Sequence, residues 1–311
     1  MDQRSQIISI DIGVCTYRRT ELEQTLRSLG ALAVPEETTI RIIVADNDAD
    51  PSAAKRVEAL RASIPHDILY VHCPASNISI ARNACLDNAN GDFLAFIDDD
   101  ETASSDWLIR LAETAAVTGA DAVLGPVKAV YDGDAPRWMR QGDFHSTHPV
   151  WVGGRIVTGY TCNALLRLSA PGIKGRRFDL SLGRSGGEDT EFFTHMHRMG
   201  GTIAYAPAAW VHEPVPDRRA SFSWLARRKF RFGQTHGRLL ATKAKPAGLA
   251  AQVALALAKS GFCALSSAVS LFSPVRRNRS ALRCLLHAGV VSGLMGFSEI
   301  EQYGMAEARP S

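Results

Sequence analysis

Residues 92–101, with the sequence DFLAFIDDDE, join a short apolar segment directly to four consecutive carboxylates. The apolar part has the length and composition of a buried β-strand. Four adjacent acids repel one another, and each resists partial burial unless a cation balances them. Oxygen ligands of this kind suit Mg²⁺ or Mn²⁺, and open α/β sheets bind ligands at the carboxyl ends of their strands. The stretch therefore predicts a metal–nucleotide site at the end of a central strand.

Acids also follow apolar strands in proteins of other kinds. The Walker B element of P-loop ATPases has this form, but the chain contains no GxxxxGK(S/T) string to accompany it. GxGxxG is also absent, which argues against a dinucleotide-binding Rossmann enzyme. The plain structural alternative is a solvated acidic turn that caps the helix beginning near Ser104. The strand context favours the metal site over that turn.

Apolar strands and helices alternate along the first part of the chain. Strands are predicted over residues 7–14, 40–45, 68–71 and 93–97, and helices over residues 21–32, 51–64, 79–89 and 104–117. Later come predicted strands over residues 122–130, 161–168 and 202–206, a long loop over residues 131–160, and a helix from Gly186 to about Met199. Strand–helix pairs with short loops are typical of right-handed βαβ units. The pattern predicts an α/β fold with a Rossmann-like, mixed but mainly parallel sheet flanked by helices.

Composition limits the class of protein and its compartment. The chain has 311 residues, 46% of them hydrophobic, which is enough for a large α/β domain and a second region. We predict a first domain over residues 1–215 and a basic, apolar, helical region over residues 216–311. The net charge of only +3 argues against a nucleic-acid partner. Six cysteines without a CxxC pair favour reduced thiols and a cytoplasmic location.

Two motifs after predicted strands could contact a nucleotide. Asp46-Asn47-Asp48 ends the second strand, so its carboxylates would lie beside the acidic stretch and could accept hydrogen bonds from a base or a ribose. Ordinary turn chemistry explains these residues equally well. Arg82, near the start of a helix, could reach a diphosphate by charge-assisted hydrogen bonds or could form a surface ion pair instead. Neither motif decides the function alone.

Two later motifs offer a general base and a further metal ligand. Gly186-Gly187-Glu188-Asp189 places two acids at a helix N-terminus. The helix dipole favours acids there without any function, but it also favours the anionic carboxylate that a general base needs. His212 follows a late predicted strand and could be a weak metal ligand, although a lone histidine is more often structural. The acidic pair is therefore the stronger of the two signals.

The ordered set of motifs resembles family 2 glycosyltransferases of the GT-A fold. The set comprises residues 14–19 (VCTYRR), 46–48 (DND), 81–83 (ARN), 98–100 (DDD) and 188–189 (ED). The resemblance covers roughly residues 7–215, and its specificity lies in the order of the motifs. Residues 227–233 (RRKFRFG) and the tail through Tyr303 resemble bacterial exopolysaccharide glycosyltransferases, including the succinoglycan glucosyltransferases.

The resemblance implies a role for each matched residue. The residues implied at the uracil and ribose of a UDP-sugar are Thr16, Tyr17 and Arg19, with Asp46 or its neighbours Asn47 and Asp48 at the base. The other residues implied at the substrate are Arg82, Asp98, Asp99 and Glu188. The metal, Mn²⁺ or Mg²⁺, would be held by Asp98 and Asp100, with His212 as a weak addition. Asp189 would be the catalytic base.

The resemblance also implies the reaction. It is the inverting, metal-dependent transfer of one sugar from a UDP-sugar, UDP-glucose favoured, to the hydroxyl of a glycan or lipid-linked saccharide. A polyprenyl-diphosphate-linked oligosaccharide in exopolysaccharide or cell-surface polysaccharide synthesis is the favoured acceptor. The QxxRW motif of processive synthases is absent, which favours transfer of a single sugar. The alternatives are a nucleotidyltransferase acting on sugar phosphates, which usually has a glycine-rich loop after the first strand, and a non-catalytic sugar-nucleotide-binding partner.

Residues 247–273 are almost wholly apolar and long enough to cross a bilayer. Two lysines precede this segment and four arginines follow it: Lys243, Lys245, Arg276, Arg277, Arg279 and Arg283. A spanning hairpin would place the arginines outside, against the positive-inside tendency. Interfacial helices whose arginines contact anionic headgroups fit better, and a soluble helical subdomain is the alternative. We therefore expect a membrane-associated helical appendage that holds the protein peripherally at the inner face of the cell membrane.

Overall fold

The computed structural model describes residues 8–34, 37–241, 245–298 and 300. The strands are β1 (Ile8–Thr16), β2 (Thr38–Asp46), β3 (Asp67–His72), β4 (Phe93–Asp98), β5 (Thr102–Ala103), β6 (Ala122–Leu124), β7 (Val127–Tyr131), β8 (Trp151–Val152), β9 (Arg155–Ile156), β10 (Asn163–Arg167), β11 (Ile203–Tyr205) and β12 (Val211–Val215). The helices are α1 (Leu22–Gly30), α2 (Ala54–Arg61), α3 (Ile78–Asn88), α4 (Trp107–Thr118), α5 (Arg137–Gly142), α6 (Glu188–Arg198), α7 (Phe222–Ala241), α8 (Pro246–Val269) and α9 (Pro274–Leu294). Lys243 and Tyr303 lie outside the described residues.

A seven-stranded sheet in the order β11-β6-β10-β4-β1-β2-β3 forms the centre of the fold. β1 pairs in parallel with β2 and β4, and β2 pairs in parallel with β3. β10 is the exception, because it runs antiparallel to both β4 and β6. The prediction of a mixed, mainly parallel α/β sheet is confirmed. The predicted pairing of the first four strands with the helices that follow them is present in the expected order.

The period of two along the strands divides the core between the two faces of the sheet. Ile12, Val44 and Ile97 point to one face, where they pack with residues of α1, α2 and α4. Ile43 and Phe96 point to the other face, where they pack with residues of α3 and α6. These side chains are almost completely buried, so the strands read as nearly continuous apolar runs.

The predicted strand over residues 122–130 is wrong in its continuity. The chain forms β6 and β7 there, which belong to different sheets, because β7 joins a three-stranded sheet in the order β5-β12-β7. Gly125 and Pro126 separate them. Proline has no N–H to donate to a ladder, and the Pro126 carbonyl accepts a hydrogen bond from the buried Asn163 side chain instead. The predicted long loop over residues 131–160 also contains ordered elements, namely α5 and the β8–β9 hairpin.

The carboxyl ends of three central strands meet at one edge of the sheet. In the strand register, Thr16 of β1 lies opposite Asp46 of β2, and Cys15 of β1 lies opposite Asp98 of β4. The acids that end β2 and β4 therefore lie on either side of the end of β1. This edge is where ligands bind in open α/β sheets.

Helices α7 and α9 approach each other through glycines. Gly233 and Gly237 of α7 face the backbone of α9, and Gly289 and Gly293 of α9 face the backbone of α7. A Cβ at any of these four positions would collide with a backbone carbonyl oxygen of the opposite helix. The two helices therefore pack backbone against backbone, a geometry that small residues at four-residue spacing permit.

Helix α8 covers the outer side of α9. Gly248–Val269 is long and apolar enough to cross a membrane, and only 6% of its most apolar window is buried inside the protein. The large apolar side chains exposed on α8 and in the turn after it are Leu255, Leu257, Phe262, Leu265, Val269, Leu271 and Phe272. Exposed apolar surfaces of this extent are typical of sites that contact a membrane or another protein.

The boundary at residue 215 stays a prediction. β12 ends at Val215, and α7 begins at Phe222, in agreement with a change of region there. Met139 of the first region nevertheless shares a small apolar cluster with Leu225 of α7 and Leu282 of α9. The helical region is thus packed directly onto the α/β region.

We expect Gly289→Ala to lower the free energy of unfolding by about 1–3 kcal/mol, because the new methyl group collides with the Phe230 carbonyl oxygen. Gly261→Ala on α8 is the matched control, since open space surrounds a Cβ at that position. Alanine is the better helix former, so the control should gain up to about 1 kcal/mol. Urea unfolding of both variants measures the difference. Equal stabilisation by the two substitutions would contradict the close packing of α7 on α9.

Candidate functional site

The acidic stretch at the end of β4 is crowded and largely removed from water. Asp99 and Glu101 are buried, and Asp98 and Asp100 are half-buried. Burial, together with the charge of neighbouring carboxylates, raises the pKa of Asp98 to about 7 and that of Asp99 to about 8, although Arg82 and Arg19 act in the opposite direction. Burial likewise raises the pKa of Glu101, with Asp98 and Glu213 adding to the effect. These groups hold protons until a cation compensates their charge.

Two arginines supply part of that compensation. Arg19 lies 3.8 Å from an Asp99 oxygen and 3.6 Å from an Asp100 oxygen. Arg219, from the segment between β12 and α7, lies 3.5 Å from Asp100 and 2.8 Å from Glu213. The sequence analysis did not single out Glu213 or Arg219. The signal for Glu213 was its place next to His212 in a strand, where successive side chains point to opposite faces.

The residues at this edge fit a divalent cation. Ligand atoms of Asp98, Glu101 and Cys162 lie within 4.8 Å of one another. The Cys162 pKa is raised well above its usual value by burial, so the neutral thiol is a poor partner for a hard cation. The carboxylates are therefore the better ligands, and their raised pKa values show that they lack sufficient positive charge.

His212 follows β11, as predicted, and lies within the next strand, β12, opposite Thr102 of β5 and Lys128 of β7. The strand places His212 on the face opposite to Glu213, whose charge acts on Asp98. The group of metal-ligating atoms found among the described residues does not include His212. Its role as a weak metal ligand stays a prediction.

The motif at the end of β2 is tied into the protein. The Asp46 carboxylate accepts hydrogen bonds from the backbone N–H groups of Asp48 and Ala53 and from the Tyr70 hydroxyl, and no part of Asp46 is exposed. Arg18 donates to both Asp48 oxygens at 2.9 Å and lowers the Asp48 pKa. Asp46 thus stabilises the loop after β2, and Asp48 holds the Arg18 guanidinium at the same edge of the sheet.

The segment after β1 lies between the two acidic motifs. Thr16 is buried and Tyr17 is half-buried, and the Tyr17 N–H donates to Asp99 at 3.4 Å. The Arg18 backbone has a positive φ of 56°, which is uncommon for a residue with a side chain. This turn directs the Arg18 side chain towards Asp48, while Arg19 reaches the acids after β4. The strand thereby delivers neighbouring arginines to two different carboxylate groups.

Arg82 forms a buried ion pair with Glu188, and both side chains are nearly inaccessible to water. The guanidinium also lies 5.8 Å from the centre of the Phe178 ring. Burial raises the Glu188 pKa while Arg82 lowers it, and Glu188 Oε2 has no hydrogen-bond partner among the described residues. The pair connects α3 to the start of α6. In this geometry Arg82 holds the first turn of α6 next to the acidic edge.

Asp189 occupies the first turn of α6. Gly186 and Gly187 precede the helix with φ values of 88° and 96°, and a Cβ on Gly187 would collide with the Thr235 methyl group of α7. The Asp189 carboxylate accepts a hydrogen bond from the Thr190 N–H at 2.5 Å. Its charge raises the pKa of Asp98, which places Asp189 close to the acids after β4. A half-buried carboxylate beside a metal-binding edge can accept a proton from a bound hydroxyl group.

Comparison with known proteins agrees with this geometry. A family model described as glycosyl transferase family 2 matches residues 11–171, which include β1, β4 and the acids after it. The succinoglycan biosynthesis protein ExoM of Rhizobium meliloti (strain 1021) is 67% identical over 303 residues, covering 97% of this chain and 98% of ExoM.

Solved structures share the fold. The mannosyltransferase PcManGT from Pyrobaculum calidifontis, in complex with GDP-Man and Mn²⁺, has a TM-score of 0.61 and 19% identity, covering 94% of this chain and 88% of its own. S. aureus TarS 1-349, in complex with UDP-GlcNAc, has a TM-score of 0.54 and 16% identity, covering 97% and 98%. At this level of identity the likeness establishes the GT-A architecture.

We expect Asp98→Asn to become more stable relative to the wild-type protein as pH rises in the presence of a chelator. The Asp98 pKa is raised from about 4 in the unfolded chain, so the folded wild type binds the extra proton at low pH and loses that stabilisation as pH rises. Asparagine does not titrate. Between about pH 5 and pH 8 the difference in the free energy of unfolding should change by on the order of 2 kcal/mol. A difference that is independent of pH in urea unfolding would contradict the burial of an uncompensated carboxylate.

Proposed function

The chain belongs to glycosyltransferase family 2, and on that premise we propose that it transfers one sugar, with inversion, from a UDP-sugar to an acceptor hydroxyl. The observation that carries the proposal is the buried Arg82–Glu188 ion pair, which joins α3 to the first turn of α6 and so holds the adjacent Asp189 at the carboxyl edge of the sheet. A base and a diphosphate-binding edge have to be close together for displacement at an anomeric carbon. The family assignment removes the nucleotidyltransferase and the non-catalytic partner as alternatives.

Donor and acceptor are proposed from relatives. ExoM is named a succinoglycan biosynthesis protein, which supports a role in exopolysaccharide synthesis. UDP-glucose is the donor that we favour, from the resemblance to the succinoglycan glucosyltransferases. The TarS complex with UDP-GlcNAc supports a UDP-sugar on this architecture. The acceptor is a polyprenyl-diphosphate-linked oligosaccharide, because a lipid-linked acceptor suits a protein with an exposed apolar helix.

The donor lies along the carboxyl edge of the sheet. The residues that we propose for the nucleoside and the sugar diphosphate are Thr16, Tyr17, Arg19, Asp46, Asp48, Arg82, Asp98, Asp99 and Glu188. The geometry divides this set by accessibility. Asp46, Arg82 and Glu188 act by holding the loops in place, since the Asp46 oxygens accept hydrogen bonds inside the protein and Arg82 pairs with Glu188 Oε1. Tyr17 and Arg19 are accessible enough to contact the nucleotide directly.

Each of this chain's groups has a defined task in the reaction. The Asp189 carboxylate accepts the proton of the acceptor hydroxyl while that oxygen forms a bond to the anomeric carbon. The bond from the anomeric carbon to the diphosphate oxygen breaks on the opposite side, and the electron pair leaves with UDP. Arg19 and Arg219, which lie at Asp100, supply positive charge beside the leaving diphosphate.

Asp98 and Asp100 would hold a divalent cation, Mn²⁺ or Mg²⁺. A ligand atom of Glu101 lies within 4.8 Å of one of Asp98, whereas the group of ligand atoms found among the described residues does not include Asp100. When bound, the cation supplies Lewis-acid stabilisation of the charge on the diphosphate. The chain needs only one carboxylate base for this reaction. The PcManGT complex with Mn²⁺ supports the choice of ion.

The helical region supports a proposal for where the reaction occurs. We place the protein in the cytoplasm, with α8 lying on the inner face of the cell membrane and the domain of residues 1–215 above it. The exposed apolar side chains of α8 and the arginines at the start of α9 support this position. A lipid-linked acceptor would then meet the catalytic edge from the membrane side.

We expect Asp189→Asn to lower kcat by about 10²–10⁴-fold while the affinity for UDP-glucose is retained, because the amide cannot accept the proton. Turnover is followed as UDP release over a panel of donors, and binding by calorimetry. Glu191→Gln is the matched control, since this acid of the same helix turn pairs with Arg176. Substantial UDP release by Asp189→Asn, or equal losses in both variants, would remove Asp189 from the mechanism.

We expect a chelator to abolish turnover and Mn²⁺ or Mg²⁺ to restore it. Asp100→Asn should weaken Mn²⁺ binding at least about tenfold, as measured by the loss of the free-ion signal in electron paramagnetic resonance. Asp106→Asn serves as the control, because that exposed acid pairs with Arg110 away from the sheet edge. Full activity in excess chelator would contradict a metal-assisted transfer.

A further inference from the structure

The helical region carries a strongly one-sided charge. Between residues 221 and 298 the sequence contains twelve lysines and arginines and no aspartate or glutamate. The same stretch holds all of α7, α8 and α9. The positive charges of residues 221–298 cannot be balanced by acids within that stretch. Their balance has to come from elsewhere in the protein or from outside it.

A cavity of about 480 Å³ lies between α8 and α9, near the middle of both helices. We call it the basic notch. Its lining residues are Ala258, Lys259, Phe262, Cys263, Arg283 and His287. Lys259 and Arg283 are exposed, and His287 is half-buried. Phe262, 73% exposed, forms an apolar wall beside these basic groups.

The basic groups of the notch repel one another. Burial, together with Lys259, His236 and Arg283, lowers the pKa of His287. Burial lowers the pKa of His236, with a contribution from Lys259, and burial together with Arg228 and Arg283 lowers the Lys229 pKa to about 8. Among the described residues, no ion pair joins Lys259, Arg283 or His287 to a carboxylate. Like charges lie close together here, as they do in the acidic stretch after β4, but with the opposite sign. Crowded cations of this kind favour an anionic ligand.

The position of the notch along the helices decides how it can meet a membrane. Ser260 donates to the Cys284 carbonyl and Ser267 donates to the Arg277 carbonyl, so α8 and α9 form an antiparallel pair. If this pair crossed a bilayer, Lys259 and Arg283 would lie near its centre, at a cost of about 2.5–3.5 kcal/mol each. If the pair lies in the membrane plane, both cations lie at the level of the headgroups while Phe262 enters the acyl region.

We propose that the basic notch binds the phosphate group of an anionic membrane phospholipid, with one acyl chain along the exposed apolar face of α8. The phosphate is the negatively charged partner for the side chains of Lys259 and Arg283, and the phenyl ring of Phe262 contacts the acyl chain. This inference rests on the proposed membrane association and names its lipid class.

The lining favours a membrane phospholipid over the other sources of phosphate. The notch is formed only by α8 and α9 and includes none of the candidate site residues, whereas an acceptor has to present its hydroxyl to Asp189. A free phosphate ion would gain nothing from the apolar wall. A phospholipid uses both the basic and the apolar surfaces of the notch.

Dihexanoyl-phosphatidylglycerol below its micelle concentration tests the notch without a membrane surface. We expect calorimetry to show saturable binding of this lipid to the full-length protein, with dihexanoyl-phosphatidylcholine and inorganic phosphate at least about tenfold weaker. Lys259→Gln/Arg283→Gln should lose the difference between the two lipids. Arg276→Gln/Arg277→Gln removes the same amount of charge from exposed positions of α9. This control should retain the difference in affinity between the two lipids. Equal losses in both double variants, or equal binding of phosphate alone, would overturn the proposal.

Vesicle flotation separates this inference from the proposals that precede it. We expect the wild-type protein to bind phosphatidylcholine vesicles through α8 and to bind more tightly when phosphatidylglycerol is added. The notch double variant should lose most of that gain, and the control double variant a smaller part. If the wild-type protein binds neither kind of vesicle, both the lipid site in the notch and the membrane association are refuted. Binding to both kinds of vesicle with no effect of the notch variant would refute the notch alone. UDP release in solution reports on the catalytic proposal in either case.

Discussion

Electrostatic repulsion among the carboxylates after β4 is the constraint on which the catalytic region depends. Their chain positions follow directly from the strand, since β4 ends at Asp98 and three further acids come next. Arginines from different parts of the chain partly compensate this repulsion. Arg19 comes from the turn after β1, and Arg219 comes from the segment after β12. The acidic edge therefore draws together elements that are about 200 residues apart in sequence.

The sequence was sufficient for those parts of the fold whose signals are local. A short stretch of sequence is enough to predict each of these parts: the apolar runs of β1–β4, the helices between them and the glycines before α6. The break between β6 and β7 was missed because the apolar run from Ala122 to Val130 hides the effect of Pro126 on the ladder. Local apolarity does not show which of two sheets a strand will join.

The sequence predicted the acidic residues of the candidate site, but it predicted few of the residues that interact with them. Asp46 was expected to face a nucleotide, yet its oxygens are occupied by Ala53 and Tyr70, a pairing that depends on how α2 and β3 pack. Arg219 pairs with both Asp100 and Glu213, and Glu213 lies there because β12 pairs with β7 in a particular register. Such contacts depend on tertiary geometry, which a single sequence does not encode in a recognisable pattern.

The glycine contact between α7 and α9 has a mechanical consequence. With no side-chain layer between the two backbones, α7 and α9 form a stiff strut, and α7 also presses Thr235 against Gly187, two residues before Asp189. In a protein seated on a bilayer through α8, this strut sets the height of Asp189 above the lipid. If the acceptor is lipid-linked as we propose, a saccharide of suitable length would place its hydroxyl at Asp189, whereas a shorter or longer saccharide would present a different hydroxyl there.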